Sequence, residues 1–278
     1  MAGPIVVGVD GSDPSHAAVE WAAADARDRR LPLKILHVCE QWRDDLDGRK
    51  YCAGVLEAAA GRAREIDAGI AVETELTGGN VVDTLIARSA SADSTVLGSR
   101  GMGGFAGLLL GSVTMGVAGH AQGPVVVVRS PTATRHDQIV VGDDGSDTAR
   151  EAMLYSVEQA RARRARIVAL HAWQQPLVSA YGVEIAGLLA EAFEEECHAA
   201  RERVAAWREQ HPDVEITGRQ VAEHPVPALA DASASADLVV VGSRGLGGFA
   251  SAVLGSVGHG LLHHAECPVA VVRPRQAR

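Results

Sequence analysis

A sixteen-residue stretch rich in glycine occurs twice in this 278-residue chain, from Gly98 to Val113 and from Gly242 to Val257, with twelve identical positions. The duplication reaches further in both directions. IVVGVDGS (Ile5 to Ser12) returns as IVVGDDGS (Ile139 to Ser146), and His37 returns as His171, both at an offset of 134. PVVVVR (Pro124 to Arg129) returns as PVAVVR (Pro268 to Arg273) at an offset of 144, so the second half gains ten residues in between. A repeat of this length makes each half its own folding unit. The sequence therefore reads as two domains, 1–130 and 139–278, joined by the polar, aperiodic connector 131–138 that contains Pro131.

In each half, apolar runs of about five residues alternate with segments of helical period, the pattern of buried parallel strands joined by helical crossovers. Strands are predicted at 5–9, 33–38, 70–76, 94–98 and 125–129, and again at 139–142, 166–171, 214–221, 238–242 and 269–272. The segment from Asp13 to Arg30 opens on small polar caps, carries Ala18, Val19, Ala22 and Ala26 at helical spacing, and ends in arginines. It is the first crossover helix. The fold class is α/β.

The formal net charge of -9 excludes a broad surface for nucleic acid or anionic lipid, both of which need a basic face. No basic leader and no membrane-length apolar run is visible, so a soluble, cytoplasmic protein is expected. Cys39, Cys52, Cys197 and Cys267 have no C-x-x-C spacing and no equivalents between halves, which argues against a disulfide framework or structural zinc. His259, His263 and Cys267 are four apart, but Pro268 ends any helix there, so no metal is assigned to them. There is no G-x-S-x-G elbow and no visible catalytic constellation.

The glycine stretch follows an apolar run, which places it at the carboxyl end of a parallel strand where open α/β sheets take their ligands. Glycines 98, 101, 103 and 104 let backbone N–H groups converge, and a helix beginning at Gly111-Ser112 adds its positive end and a hydroxyl. The expectation is a phosphate cradle. With only Lys34 and Lys50 in the chain, and neither in these loops, the Walker pattern G-x-x-x-x-G-K-[ST] is excluded, as is G-x-G-x-x-G after the first strand.

The spacing Gly98-x2-Gly101-x9-Gly111-Ser112, repeated as Gly242-x2-Gly245-x9-Gly255-Ser256, resembles the G-x2-G-x9-G-[ST] motif of the ATP-binding branch of the universal stress protein family. The first-strand VGVDGS and the PVVVVR ending are similar to that family too. The resemblance implies two tandem Rossmann-like domains of the adenine nucleotide alpha hydrolase type, each a five-stranded parallel sheet flanked by helices. It implies ATP as ligand, with Mg²⁺ arriving only with the nucleotide. Val9 would belong to the nucleotide site, Asp10 would meet ribose or the phosphate-metal end, Val38 the adenine, and Ser99, Arg100, Ser112, Val113 and Thr114 the phosphates and ribose. Their counterparts are Asp143, Asp144, Ala172, Ser243, Arg244, Ser256 and Val257.

The second set departs from the first: Asp143 stands for Val9, Ala172 for Val38 and Gly258 for Thr114. The extra carboxylate and the lost hydroxyl weaken the case for phosphate there. The resemblance also implies an intrachain pseudo-dimer through the proline-led last strands, and a homodimer of whole chains. The function it implies is a nucleotide-dependent regulator of a stress or dormancy response. A slow ATPase or nucleotide-processing enzyme using the same cradle, and an assembly module that binds nothing, are the alternatives.

Overall fold

The computed structural model describes residues 3–39, 46–103, 110–130, 134–174, 183–246 and 254–275. Gly104 of the cradle and Pro131 of the connector lie outside the described residues. The chain forms two compact units, Met1–Thr134 with Cys267–Arg278, and Arg135–Glu266.

In the first unit the elements follow one another as β1 (Ile5–Gly8), α1 (Asp13–Arg29), β2 (Leu33–Cys39), α2 (Leu46–Ile66), β3 (Val72–Gly78), α3 (Val81–Ser89), β4 (Ser94–Gly98), α4 (Ser112–His120) and β5 (Val125–Val128). The second unit holds β6 (Gln138–Gly142), α5 (Asp147–Arg163), β7 (Arg166–Ala172), α6 (Val183–Gln210), β8 (Ile216–Val221), α7 (Pro225–Ser233), β9 (Leu238–Gly242) and α8 (Ser256–His264). The last strand, β10 (Val269–Val272), belongs to the first unit, where Val269, Ala270 and Val271 pair antiparallel with Val127, Val126 and Val125. Arg275 secures that end by donating to the carbonyls of Ala92 and Asp93 at 2.7 and 2.6 Å.

The first unit's strands thus lie in the order β3-β2-β1-β4-β5-β10, parallel up to β5, and the second unit's in the order β9-β6-β7-β8, all parallel. The ten strands fall at the ten apolar runs of the sequence. The compact units divide them six and four rather than five and five, because the Val-rich β10 buries its faces beside β5.

Valine and isoleucine dominate the inner strands because both faces are covered: all four residues of β5 are buried, as are Ile139, Val140 and Val141 of β6. The outermost strand β3 leaves most of its residues partly or fully exposed, Leu76 among them. Helix α1 buries Ala18, Val19, Ala22 and Ala26 against the sheet, the stripe its spacing predicts. Ser12 caps it by accepting from the Ser15 N–H, and Arg30 ends it in the left-handed region, as Arg164 ends α5.

A carboxylate is sunk into this packing. Asp25 on α1 is fully buried and faces Arg29 at 3.5 Å, and Arg29 in turn forks onto Asp93 at 2.5 and 3.0 Å. The fork is bidentate and nearly dry. At the equivalent places of the second half stand Gln159 and Arg163, where the Arg163 Nε donates to the Gln159 side-chain carbonyl at 2.8 Å. Removing one member of a buried charge pair strands the other, which costs about 3–5 kcal/mol, whereas a bond to a neutral amide is worth closer to 1 kcal/mol. Arg29→Met should therefore lower the urea midpoint of the first unfolding transition well beyond the shift caused by Arg163→Met. Equal shifts in the two variants would show that the buried carboxylates do not set the difference.

Candidate functional site

Parallel strands with crossovers bring the carboxyl ends of β1, β2 and β4 to one edge of the sheet, and the first unit has its cavity there. It encloses about 740 Å³. Its apolar wall comes from Val9, Leu36, Val38 and Leu97, and its polar side from Asp10, Arg100 and the start of α4 at Ser112. Of the residues singled out in this half, Val9, Asp10, Val38, Gly98, Arg100, Gly101, Gly111, Ser112, Val113 and Thr114 all line it.

Ser99 does not. It is 1 % exposed, its N–H donates to the Val128 carbonyl and its carbonyl accepts from the Gly111 N–H, both at 2.8 Å, so its backbone pins the loop to β5. Its buried hydroxyl has no hydrogen-bond partner among the described residues, and the same holds for Ser243. Thr114 lines the cavity but spends its hydroxyl internally, donating to the Gly98 carbonyl at 2.8 Å.

Asp10 organises the site. One carboxylate oxygen accepts from the Ser12 N–H at 3.0 Å and the Ser12 hydroxyl at 2.6 Å, and the other accepts from the Met102 N–H at 2.8 Å. Burial alone would raise its pKa, but the hydrogen bonds from Ser12, Met102 and Ser15 outweigh that and hold the carboxyl below its ordinary value. The first strand is thereby tied to the glycine loop by an ionised carboxylate. Asp144 repeats the bridge, accepting from the Ser146 N–H at 3.0 Å and the Leu246 N–H at 3.1 Å.

This bridge explains two pairs of glycines. Gly11 and Gly145 turn the chain back toward the carboxylate with φ of 87° and 78°, which other residues rarely adopt. Gly101 and Gly245 lie flat against it: a Cβ at either place would press into the Oδ2 of Asp10 or Asp144. None of the described glycines of the cradle has a positive φ; close approach accounts for Gly101 and Gly98, whereas a Cβ would meet open space at Gly103 and ordinary contacts at Gly111. Gly98 serves packing in the same way, since a Cβ there would meet the Pro14 backbone at 2.6 Å.

The helix that follows is open at its start. Ser12, Asn80, Ser146 and His224 cap α1, α3, α5 and α7 with their side chains, but α4 and α8 begin on Gly111 and Gly255, which have none. Among the helices whose caps are described, only these two present first-turn N–H groups without a side-chain acceptor. Those groups and the helix dipole favour an anion. Arg129, partly buried, has its pKa lowered by burial and by the positive charge of Arg100, so two guanidinium groups share this end of the sheet.

The wall also holds residues that sequence spacing did not single out as site residues. His37 lies on β2 with its Nδ1 2.6 Å from the Val9 carbonyl, and Cys39 and Tyr51 line the cavity. Cys39 is joined to Cys52 by a disulfide, contrary to the expectation drawn from cysteine spacing. The end of β2 and the first turns of α2 are 13 residues apart in sequence but bring the two Cα atoms to 6.3 Å. Only folding creates that proximity.

The second unit has a smaller cleft of about 390 Å³, lined by Arg244 and Gly245 together with Gly145 to Thr148 and Leu246. Asp143, Asp144, Ala172, Gly242, Ser243, Gly255, Ser256 and Val257 do not line it. Asp143 meets a cation of the chain itself: the Arg203 Nε on α6 donates to its two oxygens at 3.3 and 3.0 Å. His171 repeats the role of His37, its Nδ1 2.7 Å from the Asp143 carbonyl. His120, near the end of α4, has its Nδ1 2.9 Å from the Gly116 carbonyl, a helix-end contact rather than a ligand site.

Comparison with known proteins agrees with this architecture. The model of the universal stress protein family matches residues 1–129 and again 136–273. A universal stress protein of Mycobacterium tuberculosis is 37% identical over 290 residues, spanning 97% of this chain and 96% of that protein. One of Mycolicibacterium smegmatis is 37% identical over 289 residues, spanning 98% and 97%. Among solved structures, a universal stress protein from Archaeoglobus fulgidus shares the fold with a TM-score of 0.73 at 22% identity, over 99% of this chain and 98% of that one. No helix among the described residues is long and apolar enough to cross a membrane. With both halves matched and relatives aligned nearly end to end, the chain belongs to the universal stress protein family.

Proposed function

We propose that the chain is an ATP-binding regulator of a stress or dormancy response, and that its first half is the principal nucleotide site. The observation that carries this reading is the cavity at the ends of β1, β2 and β4, where an apolar wall meets an uncapped helix start. About 740 Å³ lies within the range of small-ligand pockets. Val9, Leu36 and Val38 suit a purine face, and the first turn of α4 with Arg100 suits phosphate oxygens. Bound ATP would supply a triphosphate, with Mg²⁺ carried on its oxygens, as a reversible signal of adenylate state. Asp10 acts chiefly by closing the loop, since both its oxygens already accept hydrogen bonds.

The second half is the weaker site in this reading. Arg203 neutralises Asp143, and a Cβ on Gly145 would sit 3.2 Å from an Arg203 nitrogen, so this guanidinium lies across the turn that Tyr51 and Val55 border in the first half. The antiparallel ladder of β5 with β10 supports pairing of the two repeats through their last strands, with homodimers of whole chains as the further assembly.

Denaturing the purified protein and chromatographing the supernatant should release adenine nucleotide. Calorimetry on nucleotide-free protein should find one tight site that Gly101→Glu weakens by a hundredfold or more, on the order of 3 kcal/mol for a carboxylate placed against phosphate and against Asp10. Gly245→Glu should leave that site within about twofold, the scatter of distant, independent changes. Tight binding that survives Gly101→Glu would place the nucleotide elsewhere. Sustained phosphate release by the wild type would make the protein an ATPase.

Asp10→Ala tests the bridge separately from the ligand. In nucleotide-free protein the Met102 amide should exchange with deuterium about tenfold faster once its acceptor is gone, corresponding to about 1.4 kcal/mol for a bond to a charged group. Because the folded carboxyl titrates below its ordinary value, this protection is complete above the unfolded pKa and fades only as pH falls through the lower folded value. Unchanged exchange at neutral pH would remove Asp10 from its role in the loop.

A further inference from the structure

His37, Cys39 and Cys52 converge on the wall of the first cavity, each offering a ligand atom within 4.8 Å of the others. His37 and Cys39 share one face of β2 at alternate positions, and α2 delivers Cys52 opposite them. The two sulfurs are bonded to each other in this structure. Two electrons separate that state from a pair of thiols.

We propose that the reduced chain holds a soft divalent cation of the zinc class on His37, Cys39 and Cys52, and that oxidation of the two thiols to the disulfide expels it. Two thiolates and an imidazole are a zinc donor set, and three protein ligands leave a fourth tetrahedral position. All three residues line the cavity, from which a fourth ligand would come.

The histidine is oriented for the task. Its Nδ1 lies 2.6 Å from the Val9 carbonyl, so the neutral ring donates there and Nε2 keeps the lone pair. A backbone carbonyl on the non-ligating nitrogen is the usual outer support of a metal-bound imidazole. Thiolates sharing one tetrahedral ion at about 2.3 Å stand about 3.8 Å apart, a separation that side-chain rotation provides from Cα atoms 6.3 Å apart.

The chemistry balances. A dithiol reductant gives two electrons and two protons to the Cys39–Cys52 bond and becomes its own cyclic disulfide. The two thiols then lose two protons as the metal–sulfur bonds form. In the reverse direction, hydrogen peroxide takes two electrons from the bound thiolates and, with two protons, leaves as two waters, while the sulfurs join and the cation departs.

The second half lacks this arrangement, although His171 keeps the same contact to the strand-end carbonyl. Trp173 stands where Cys39 does, and the remaining cysteines, Cys197 and Cys267, are single buried thiols. Burial pushes the Cys197 thiol up, which makes it a poor ligand. One cation per chain follows, and this stoichiometry is independent of nucleotide.

The test is a cobalt titration of the full-length, metal-stripped, reduced protein under nitrogen. One equivalent of Co²⁺ should produce thiolate-to-cobalt charge-transfer absorption in the near ultraviolet and tetrahedral bands in the visible, and one equivalent of Zn²⁺ should abolish both. The peroxide-treated protein, verified by loss of two of its four thiols in a thiol count, should show neither. His37→Ala should weaken cobalt at least about tenfold, since even outer-shell losses cost that much. The Cys39→Ser/Cys52→Ser double variant should bind none. Absence of charge transfer in the reduced wild type overturns the proposal without any substitution, and so does a band of full intensity in the double variant.

Discussion

The Asp10 carboxylate is the constraint on which the first site rests, because it joins two segments that lie ninety-two residues apart along the chain. A strand end and a glycine loop meet only if something charged and geometrically fixed draws the loop's N–H groups inward. Asp10 does this with one oxygen on the Met102 N–H of the loop, while its other oxygen is held by the N–H and hydroxyl of Ser12. The nearby glycines follow from it. Gly11 lets the chain double back to present Ser12, and Gly101 leaves room for the carboxylate to lie against the loop. The loop is thus anchored at Met102 on one side, and on the other by the Ser99 backbone, which binds both Val128 and Gly111. The helix start at Ser112 is presented to the cavity as a consequence.

The same device in the second half shows which parts are structural and which are open to change. Asp144, Gly145 and Gly245 reproduce the bridge, so the fold retains it whatever the site does. Around it the chemistry shifts. Asp143 introduces a second carboxylate, and α6, longer than α2, brings Arg203 to neutralise it. Buried polarity changes in parallel, from Asp25 with Arg29 to Gln159 with Arg163. An ion pair inside the chain is a local substitute for a ligand, since either supplies the counter-charge that a buried carboxylate or guanidinium requires.

Much of this was legible in the sequence for reasons that can be named. Strands buried on both faces read as continuous apolar runs rich in β-branched residues, so VVVV and IVV stand out against the alanine-rich helices, and the end of α1 is marked by its arginines. The cradle was legible because it is repeated. Its internal logic was not: the spacing reads as a convergence of free N–H groups, but the glycine at 98 is required by Pro14 and the one at 101 by Asp10, contacts between segments far apart in sequence. Ser99 falls in the motif and reads as a ligand, yet its side chain turns into the core. Cysteine spacing failed for the related reason that β2 and α2 are set side by side by packing, which no count of intervening residues reports.

Duplication explains why a site can diverge while its scaffold stays fixed. A second aspartate at the end of the first strand needs a counter-charge, which a single copy would have to find without disturbing its own cavity. Both copies keep the uncapped helix start, but the first keeps the apolar-walled cavity while the second accepts Arg203 as an internal counter-ion. The two halves differ in the same way at β2 and β7: the histidine common to both has a ring nitrogen within 4.8 Å of the Cys39 and Cys52 sulfurs in one, and faces the carboxylate of Glu196 at 3.9 Å in the other. The fold holds the imidazole in place by its Nδ1 contact in both, and the groups that surround the ring are where the two halves part.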